Sequence, residues 1–269
     1  MPTNKIIAVI GATGAQGGGL VRAILADRTG GFGARAITRK ANGEKAAELR
    51  KLGAEVVEAD LDDEASLAKA FAGGYGAYCV TNYWEHFTSA KEVSQARNMA
   101  RAAKSANLQH VIWSTLEDTR KRVPLSDTRM PTLMEKYKVP HFDAKGDADS
   151  QFAEAGVPTT YLLTSFYWEN FIYFGMGPKK GEDGKLTLTL PMGKAKLSGI
   201  SAQDIGKCAY GIFKGGNQYG LVGLAPYHDN ESKVPDAVKA KMTQLADDVK
   251  GGKVDTGWKT PSGNCPASV

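Results

Sequence analysis

A glycine-rich turn near the amino end of the chain constrains its fold more than any other feature. The apolar run from Ile6 to Ile10 predicts a buried strand, and an amphipathic helix is predicted to begin near Gly14. The glycines follow the spacing G-x-x-G-x-x-G, which allows a sharp turn, close approach of backbone N–H groups to a pyrophosphate, and close packing of helix on strand. Any strand-to-helix turn can use glycines, but this context predicts a dinucleotide site. Its expected contacts are Gly11, Thr13, Gly14, Ala15, Gln16 and Gly17.

Composition and charge exclude several other classes of protein. A chain of 269 residues with 42% hydrophobic and 23% charged residues suits one α/β domain with a small annex. The net charge of +5 is spread along the chain, so direct nucleic-acid binding is not expected. Three cysteines and four histidines form no disulfide framework and match no metal-binding spacing. Without a signal-peptide pattern or a membrane-spanning apolar run, we expect a cytoplasmic protein with no membrane contact.

Strands and helices alternate along the first half of the chain, which predicts a parallel, doubly wound sheet. Charges and prolines from Leu116 to Val139 predict a long loop or lid, and the alternation from Lys185 to Leu190 predicts a strand. The other predicted strands cover residues 34–38, 55–59, 75–81, 111–114, 159–164 and 220–224. The other predicted helices cover residues 43–52, 62–72, 89–106, 140–155, 202–213 and 235–249.

The residues that follow three of the predicted strands indicate which dinucleotide would bind. Arg39 and Lys40 follow strand two, where an acidic residue would instead select NAD(H), so they favour NADP(H). The alternative for this pair is a solvated basic loop. Asp60 and Leu61 follow strand three, where Asp60 contacts the adenine or caps the next helix. Strand four ends in candidate walls for the cofactor ribose and a substrate, namely Thr81, Asn82 and Tyr83.

Six strings of residues, in this order, strongly resemble the NmrA-like family, a group of atypical short-chain dehydrogenases/reductases. The resemblance covers about residues 6–224. It implies an NADP(H)-binding Rossmann domain and a smaller carboxyl-terminal substrate domain, and the chain departs from the family after Leu224. The strings are GATGAQGG, ITRK, CVTNYWE, HVIWSTLED, HFDAKG and SFYWENF.

The resemblance also indicates where catalytic groups would lie. Short-chain dehydrogenases typically use Tyr-x-x-x-Lys, whereas this chain has His141 and Lys145 at those two positions. The i, i+4 spacing places both on one helix face, with His141 as a proton donor or a polar helix cap and Lys145 as a cofactor contact. Ser114 would orient a substrate or would be an internally satisfied hydroxyl.

An aromatic segment from Phe166 to Phe174 allows two interpretations. Its side chains are expected mostly in the core, whereas the resemblance places part of the segment near the nicotinamide. The cofactor contacts implied by the resemblance are Phe166, Tyr167, Glu169 and Asn170.

These patterns together predict an α/β protein with a Rossmann-type doubly wound parallel sheet and a small carboxyl-terminal annex. Residues 1–165 are the predicted NADP(H)-binding domain. Residues 166–269 are the predicted substrate domain, interleaved and truncated, with a flexible tail. Because the usual tyrosine is replaced, the favoured function is a redox-sensing regulator that binds NADP(H) and a protein partner. The alternative is an NADPH-dependent reductase of quinones or related carbonyl compounds.

Overall fold

A six-stranded sheet forms the centre of the described part of the chain. The computed structural model describes residues 5–215, 236–237, 239–241 and 243–244. The strands of the sheet are β1 Lys5–Val9, β2 Phe32–Thr38, β3 Glu55–Glu58, β4 Gly76–Cys79, β5 His110–Thr115 and β6 Thr159–Leu163. They are all parallel and lie in the order β3-β2-β1-β4-β5-β6. This is the order of a Rossmann sheet, so the predicted fold class is confirmed.

Helices cover both faces of the sheet. Between residues 5 and 215 the helices are α1 Ala15–Ala26, α2 Glu44–Lys51, α3 Glu64–Phe71, α4 Tyr83–His86, α5 Ser89–Ser105, α6 Pro140–Ala155, α7 Asn170–Tyr173 and α8 Ala202–Gly215. Successive side chains of a strand point to opposite faces. Ile7 and Val9 of β1 therefore enter a core shared with α1, α2 and α8. Ala8 enters the opposite core, which is shared with α3, α5 and α6.

The segment from Leu116 to Val139 contains one short 3₁₀ turn, Thr119–Lys121, and is otherwise irregular, as predicted. Two buried charged residues hold it in place. The carboxylate of Asp143 on α6 accepts hydrogen bonds from the backbone N–H groups of Thr119 and Lys138, at 2.8 and 2.7 Å. The Nζ of Lys138 in turn donates to the carbonyls of Asp127 and Met130, at 2.8 and 2.7 Å. The segment is thus tied firmly to α6.

The region between β6 and α8 differs from the prediction. It contains four two-residue strands, β7 Phe166–Tyr167, β8 Lys179–Lys180, β9 Leu186–Thr187 and β10 Gly199–Ile200. The predicted strand over residues 185–190 is confirmed only in part, because just β9 forms there, paired with β8 away from the central sheet. Leu186 is 75% exposed, so the alternating pattern faces no core.

The expectation that the aromatic segment lies mostly in the core is wrong, because none of its residues is fully buried and Trp168 is 42% exposed. Ile172, Tyr173 and Phe174 are 71%, 75% and 74% exposed. They lie at the end of the single turn of α7 and just after it, and α7 packs its residue Phe171 against Phe166 and Trp168 instead.

Residue contacts divide the chain into two units, Met1–Lys214 and Gly215–Val269. The predicted strand at 220–224 and most of the tail lie outside the described residues. The described residues between 236 and 244 are helical, within the helix predicted over 235–249. The domain boundary after residue 165 stays a prediction. In the described residues, no helix is long and apolar enough to cross a membrane.

Glycines let α8 pack directly on α1. A Cβ atom at Gly19 of α1 would lie 2.7 Å from the carbonyl oxygen of Gln203. A Cβ atom at Gly206 of α8 would overlap the backbone nitrogen of Leu20. The backbones of the two helices therefore touch, and neither glycine position has room for a side chain.

This contact predicts opposite effects of the same substitution at two positions of α8. Gly206→Ala should lower the free energy of unfolding by about 2–3 kcal/mol, because the added methyl group forces the helices apart. At the exposed Gly211 an added Cβ meets nothing within 4 Å, so Gly211→Ala should raise it by about 0.5–1 kcal/mol. Urea unfolding of both variants checks this, and equal effects would contradict the packing described.

Candidate functional site

A cleft of about 1560 Å³ lies along the carboxyl edge of the central sheet. Segments that follow β1, β2, β3 and β4 line it, together with α6 and the region after β6. Ligands of open α/β sheets bind at this edge, where the strand order reverses between β1 and β4. Of the predicted site residues, those lining the cleft are Gly11, Thr13, Gly14, Ala15, Gln16, Gly17, Arg39, Lys40, Asp60, Leu61, Thr81, Asn82, Tyr83, His141, Lys145, Phe166, Tyr167 and Asn170.

The glycine turn forms the floor of the cleft at the start of α1. Gly11 has a φ of +64°, which favours glycine, and its carbonyl accepts a hydrogen bond from the backbone N–H of Gly14 at 2.8 Å. A Cβ atom at Gly17 would lie 2.5 Å from the carbonyl oxygen of Gly11. Gly14 caps α1 without any side chain, so the first N–H groups of the helix face the cleft. This cradle suits the pyrophosphate of a dinucleotide.

Arg39 and Glu85 form an ion pair at the mouth of the cleft. Arg39 follows β2, and Glu85 lies on α4 after β4. The hydrogen bond from the Arg39 guanidinium to the Glu85 carboxylate raises the pKa of Arg39. Arg39 therefore stays protonated, and together with the neighbouring Lys40 it could hold an adenosine 2′-phosphate.

Asp60 does not cap α3, so that alternative is wrong. The cap is Asp63, whose side chain accepts hydrogen bonds from the N–H groups of Ala65 and Ser66. Asp60 instead accepts from the N–H of Asp62 at 2.9 Å, in a local turn at the edge of the cleft. The neighbouring Leu61 also lines the cleft.

Lys145 belongs to a buried network that the sequence did not predict. Its Nζ donates to the Oγ1 of Thr81 at 2.7 Å and to the carbonyl of Thr81 at 3.3 Å. It also lies 3.1 Å from the carboxylate of Glu92 on α5, a fully buried residue that accepts from the Oγ1 of Thr81 at 2.6 Å. Burial lowers the pKa of Lys145. Its donors are thus directed at Thr81 and Glu92.

His141 lies in an aromatic cluster on the wall of the cleft. Its ring centroid is 4.6 Å from that of Trp84 and 6.0 Å from that of Tyr83. Burial lowers the pKa of the imidazole below its ordinary value of 6.5, so the ring is neutral at pH 7. The polar-cap alternative is wrong, because Val139 is the cap of α6 and no side chain caps this helix.

Ser114 does not line the cleft. It is fully buried, and its hydroxyl donates to the Oε1 of Gln16 at 2.8 Å. The same Gln16 oxygen accepts from the hydroxyl of Tyr78, and the Nε2 of Gln16 donates to the hydroxyl of Tyr167. Gln16 thus joins α1 to β4, β5 and β7. The hydroxyl of Ser114 is satisfied inside the protein, which is the second of the two alternatives for this residue. No sequence motif could have identified Tyr78 as part of this network.

Glu169 also lies outside the lining of the cleft. Its carboxylate accepts from the hydroxyl of Ser201 at 2.5 Å and from the backbone N–H of Ala202 at 3.0 Å. Ala202 is the first residue of α8, so Glu169 caps that helix. Its neighbour Asn170 does line the cleft.

The part of the cleft lined by α4 and by the region after β6 is rich in apolar and aromatic side chains, and we call it the apolar end. Lys196 is a charged residue from the same region that also lines the cleft. The apolar and aromatic residues there are Trp84, Phe166, Phe174, Met176, Met192 and Leu197. A flat, uncharged group fits such a lining better than an ionic one. Within the described residues, no group of three His, Cys, Asp or Glu residues could hold a metal ion.

The sequence profile of the NmrA-like family matches residues 3–244 of this chain. The chain belongs to the NmrA-like family. Among its relatives is the NmrA-like family domain-containing oxidoreductase himF of Aspergillus japonicus, 30% identical over 78% of this chain and 64% of the relative. The oxidoreductase FrzB of a Cladobotryum species is 29% identical over 80% of this chain and 66% of the relative. The chain thus spans less than two thirds of the length of these relatives.

A solved structure of the regulator NmrA supports the same family assignment. NmrA, described as a negative transcriptional regulator, was solved in complex with NADP and is 26% identical to this chain, with a TM-score of 0.65. The match covers 80% of this chain and 64% of NmrA. A second NmrA structure contains NAD, at the same identity and TM-score. NmrA, a relative with a similar fold, thus binds either dinucleotide in solved structures.

The buried Lys145–Glu92 pair yields a prediction about stability. Glu92→Gln should lower the free energy of unfolding by about 3 kcal/mol, because it leaves the Lys145 charge buried without a counter-ion. The exposed Glu117 pairs with Arg122 at 3.0 Å, so Glu117→Gln is the control and should cost less than about 1 kcal/mol. In the double variant Lys145→Met, Glu92→Gln, the cost should be well below the sum of the single costs. Urea unfolding of Glu92→Gln, Lys145→Met, the double variant and the control Glu117→Gln measures these costs. Strictly additive costs in the double variant would contradict the pairing.

Proposed function

We propose that this chain binds NADP(H) along the carboxyl edge of its sheet. The glycine cradle at the start of α1 would hold the pyrophosphate, and Arg39 with Lys40 would hold the 2′-phosphate. The nicotinamide would then lie beyond β4, towards Tyr83, His141 and the apolar end of the cleft. The NADP complex of NmrA supports this choice of dinucleotide.

We infer that binding rather than turnover is the main function, in a redox-sensing regulatory role with a protein partner. The observation that carries this inference is the engagement of the candidate catalytic groups by the protein itself. Lys145 bonds to Thr81 and Glu92, and Ser114 bonds to Gln16. His141 lies in an aromatic cluster, and its lowered pKa leaves little of the protonated imidazole that could donate a proton at pH 7. The description of NmrA as a transcriptional regulator supports the same role.

The second candidate function is an NADPH-dependent reductase of quinones or related carbonyl compounds. The apolar end of the cleft favours it, as do the relatives that are named oxidoreductases. NADPH would supply a hydride, and a proton would come from His141 or from water. In this candidate, Trp84 and Phe174 would stack on a planar substrate, and the cleft wall would exclude water from one face of it.

The 2′-phosphate contact gives the first test of cofactor choice. A charge-assisted hydrogen bond to phosphate is worth about 1.5–3 kcal/mol, so Arg39→Ala should weaken NADPH binding about tenfold or more. NADH binding should stay nearly unchanged. The matched control is Arg101→Ala, since Arg101 is an exposed arginine paired with Glu64 outside the cleft lining. Calorimetry that finds equal affinities of the unmutated protein for NADPH and NADH would contradict the NADP(H) preference.

Turnover separates the two candidate functions. A sensor should bind NADPH without oxidising it in the presence of a panel of quinones and aldehydes, and His141→Phe should change neither property. If His141 donates a proton, the rate should instead fall as the pH rises through its pKa, which lies below 6.5. His141→Phe should then remove turnover by about 10²-fold while NADPH affinity is kept. Robust turnover with that pH profile would reject the sensor in favour of the reductase.

A further inference from the structure

An ion pair joins the two sides of the candidate cofactor cleft. Arg39 follows β2, and Glu85 lies on α4 just after β4. β2 and β4 are the two strands that flank β1, the strand leading into the glycine turn. The Nη1 of Arg39 contacts the Oε1 of Glu85, and both residues line the cleft. A carboxylate therefore already engages one nitrogen of the guanidinium that would bind a phosphate group.

The Arg39–Glu85 contact would lower the binding free energy of a ribose that carries a 2′-phosphate. The guanidinium would have to exchange the Glu85 carboxylate for the 2′-phosphate, or share its donors between two anions. The carboxylate and the phosphate would also repel each other at close range. A dinucleotide with a free 2′-hydroxyl would carry no charge at this position and would meet neither cost.

We propose that Glu85 is a specificity-determining residue that weakens the preference for NADP(H) over NAD(H) by competing for Arg39. The proposal rests on the NADP(H) binding inferred above and assigns to Glu85 a role that opposes that of Arg39. Arg39 attracts the 2′-phosphate, and Glu85 reduces the binding free energy that the phosphate gains from this contact. The discrimination ratio between the two dinucleotides is then a property of the pair.

Solvent exposure makes the pair suitable for such a role. The side chains of Arg39 and Glu85 are 58% and 45% exposed. An ion pair this accessible adds little to folding stability, so a bound anion can displace it without distorting the domain. The same exposure predicts that removing the Glu85 charge leaves the thermal unfolding midpoint unchanged.

The test is the isosteric variant Glu85→Gln, titrated calorimetrically with NADPH and with NADH. The dissociation constant of NADPH should fall about threefold to tenfold, and that of NADH should change by less than about twofold. The matched control is Glu64→Gln, because Glu64 is 45% exposed and pairs with an arginine that is 62% exposed, outside the cleft lining. The control should bind both dinucleotides like the unmutated protein.

A double-mutant cycle shows whether Glu85 acts through Arg39. In the Arg39→Ala background, Glu85→Gln should no longer tighten NADPH binding. An unchanged or weaker NADPH affinity of Glu85→Gln alone would overturn the proposal, and so would a gain that persists without Arg39. Those results leave NADP(H) binding itself intact. An unmutated protein that binds no NADPH would overturn the proposed function together with this proposal.

Discussion

The close approach of α1 to the backbone of the glycine turn is the constraint on which the rest of the structure depends. Gly17 lies against the carbonyl of Gly11, so α1 begins directly at the carboxyl edge of the sheet. The same helix accepts α8 against its other side through Gly19 and Gly206. Because α1 is placed so tightly, the amide of Gln16 reaches hydroxyl groups on three different elements of the fold. The turn thus positions the cleft and also links its two halves.

Buried charges fix the side of the cleft that lies beyond β4. Lys145 and Glu92 join α6 to α5 through Thr81, which follows β4, and Asp143 ties the first turn of α6 to the long irregular segment. A buried charge is costly unless it is paired or hydrogen-bonded. Lys145 and Glu92 pair with each other, and Asp143 accepts hydrogen bonds from backbone N–H groups. A lysine at the position typical of a dehydrogenase therefore contributes here to the framework of the site.

The charges at the mouth of the cleft are exposed, unlike the buried ones, and can therefore exchange their partners for a ligand. Arg39 and Glu85 are both accessible, and exchange of partners between them and a ligand costs little folding free energy. The glycine turn and the Arg39–Glu85 pair would therefore contact different parts of a dinucleotide. The glycine turn would hold the pyrophosphate of either dinucleotide, whereas we propose that the Arg39–Glu85 pair discriminates between the two riboses.

The sequence by itself determined the Rossmann sheet, the position of the glycine turn and the basic residues after β2, because periodicity and turn chemistry are local properties. Only the tertiary structure decided the partners of His141, Lys145 and Ser114, since Trp84, Glu92 and Gln16 lie far from them in sequence. The strand predicted over residues 185–190 forms only at Leu186–Thr187 for a related reason. Alternation shows that a segment has two faces, but whether a core meets one of them depends on where the rest of the chain lies.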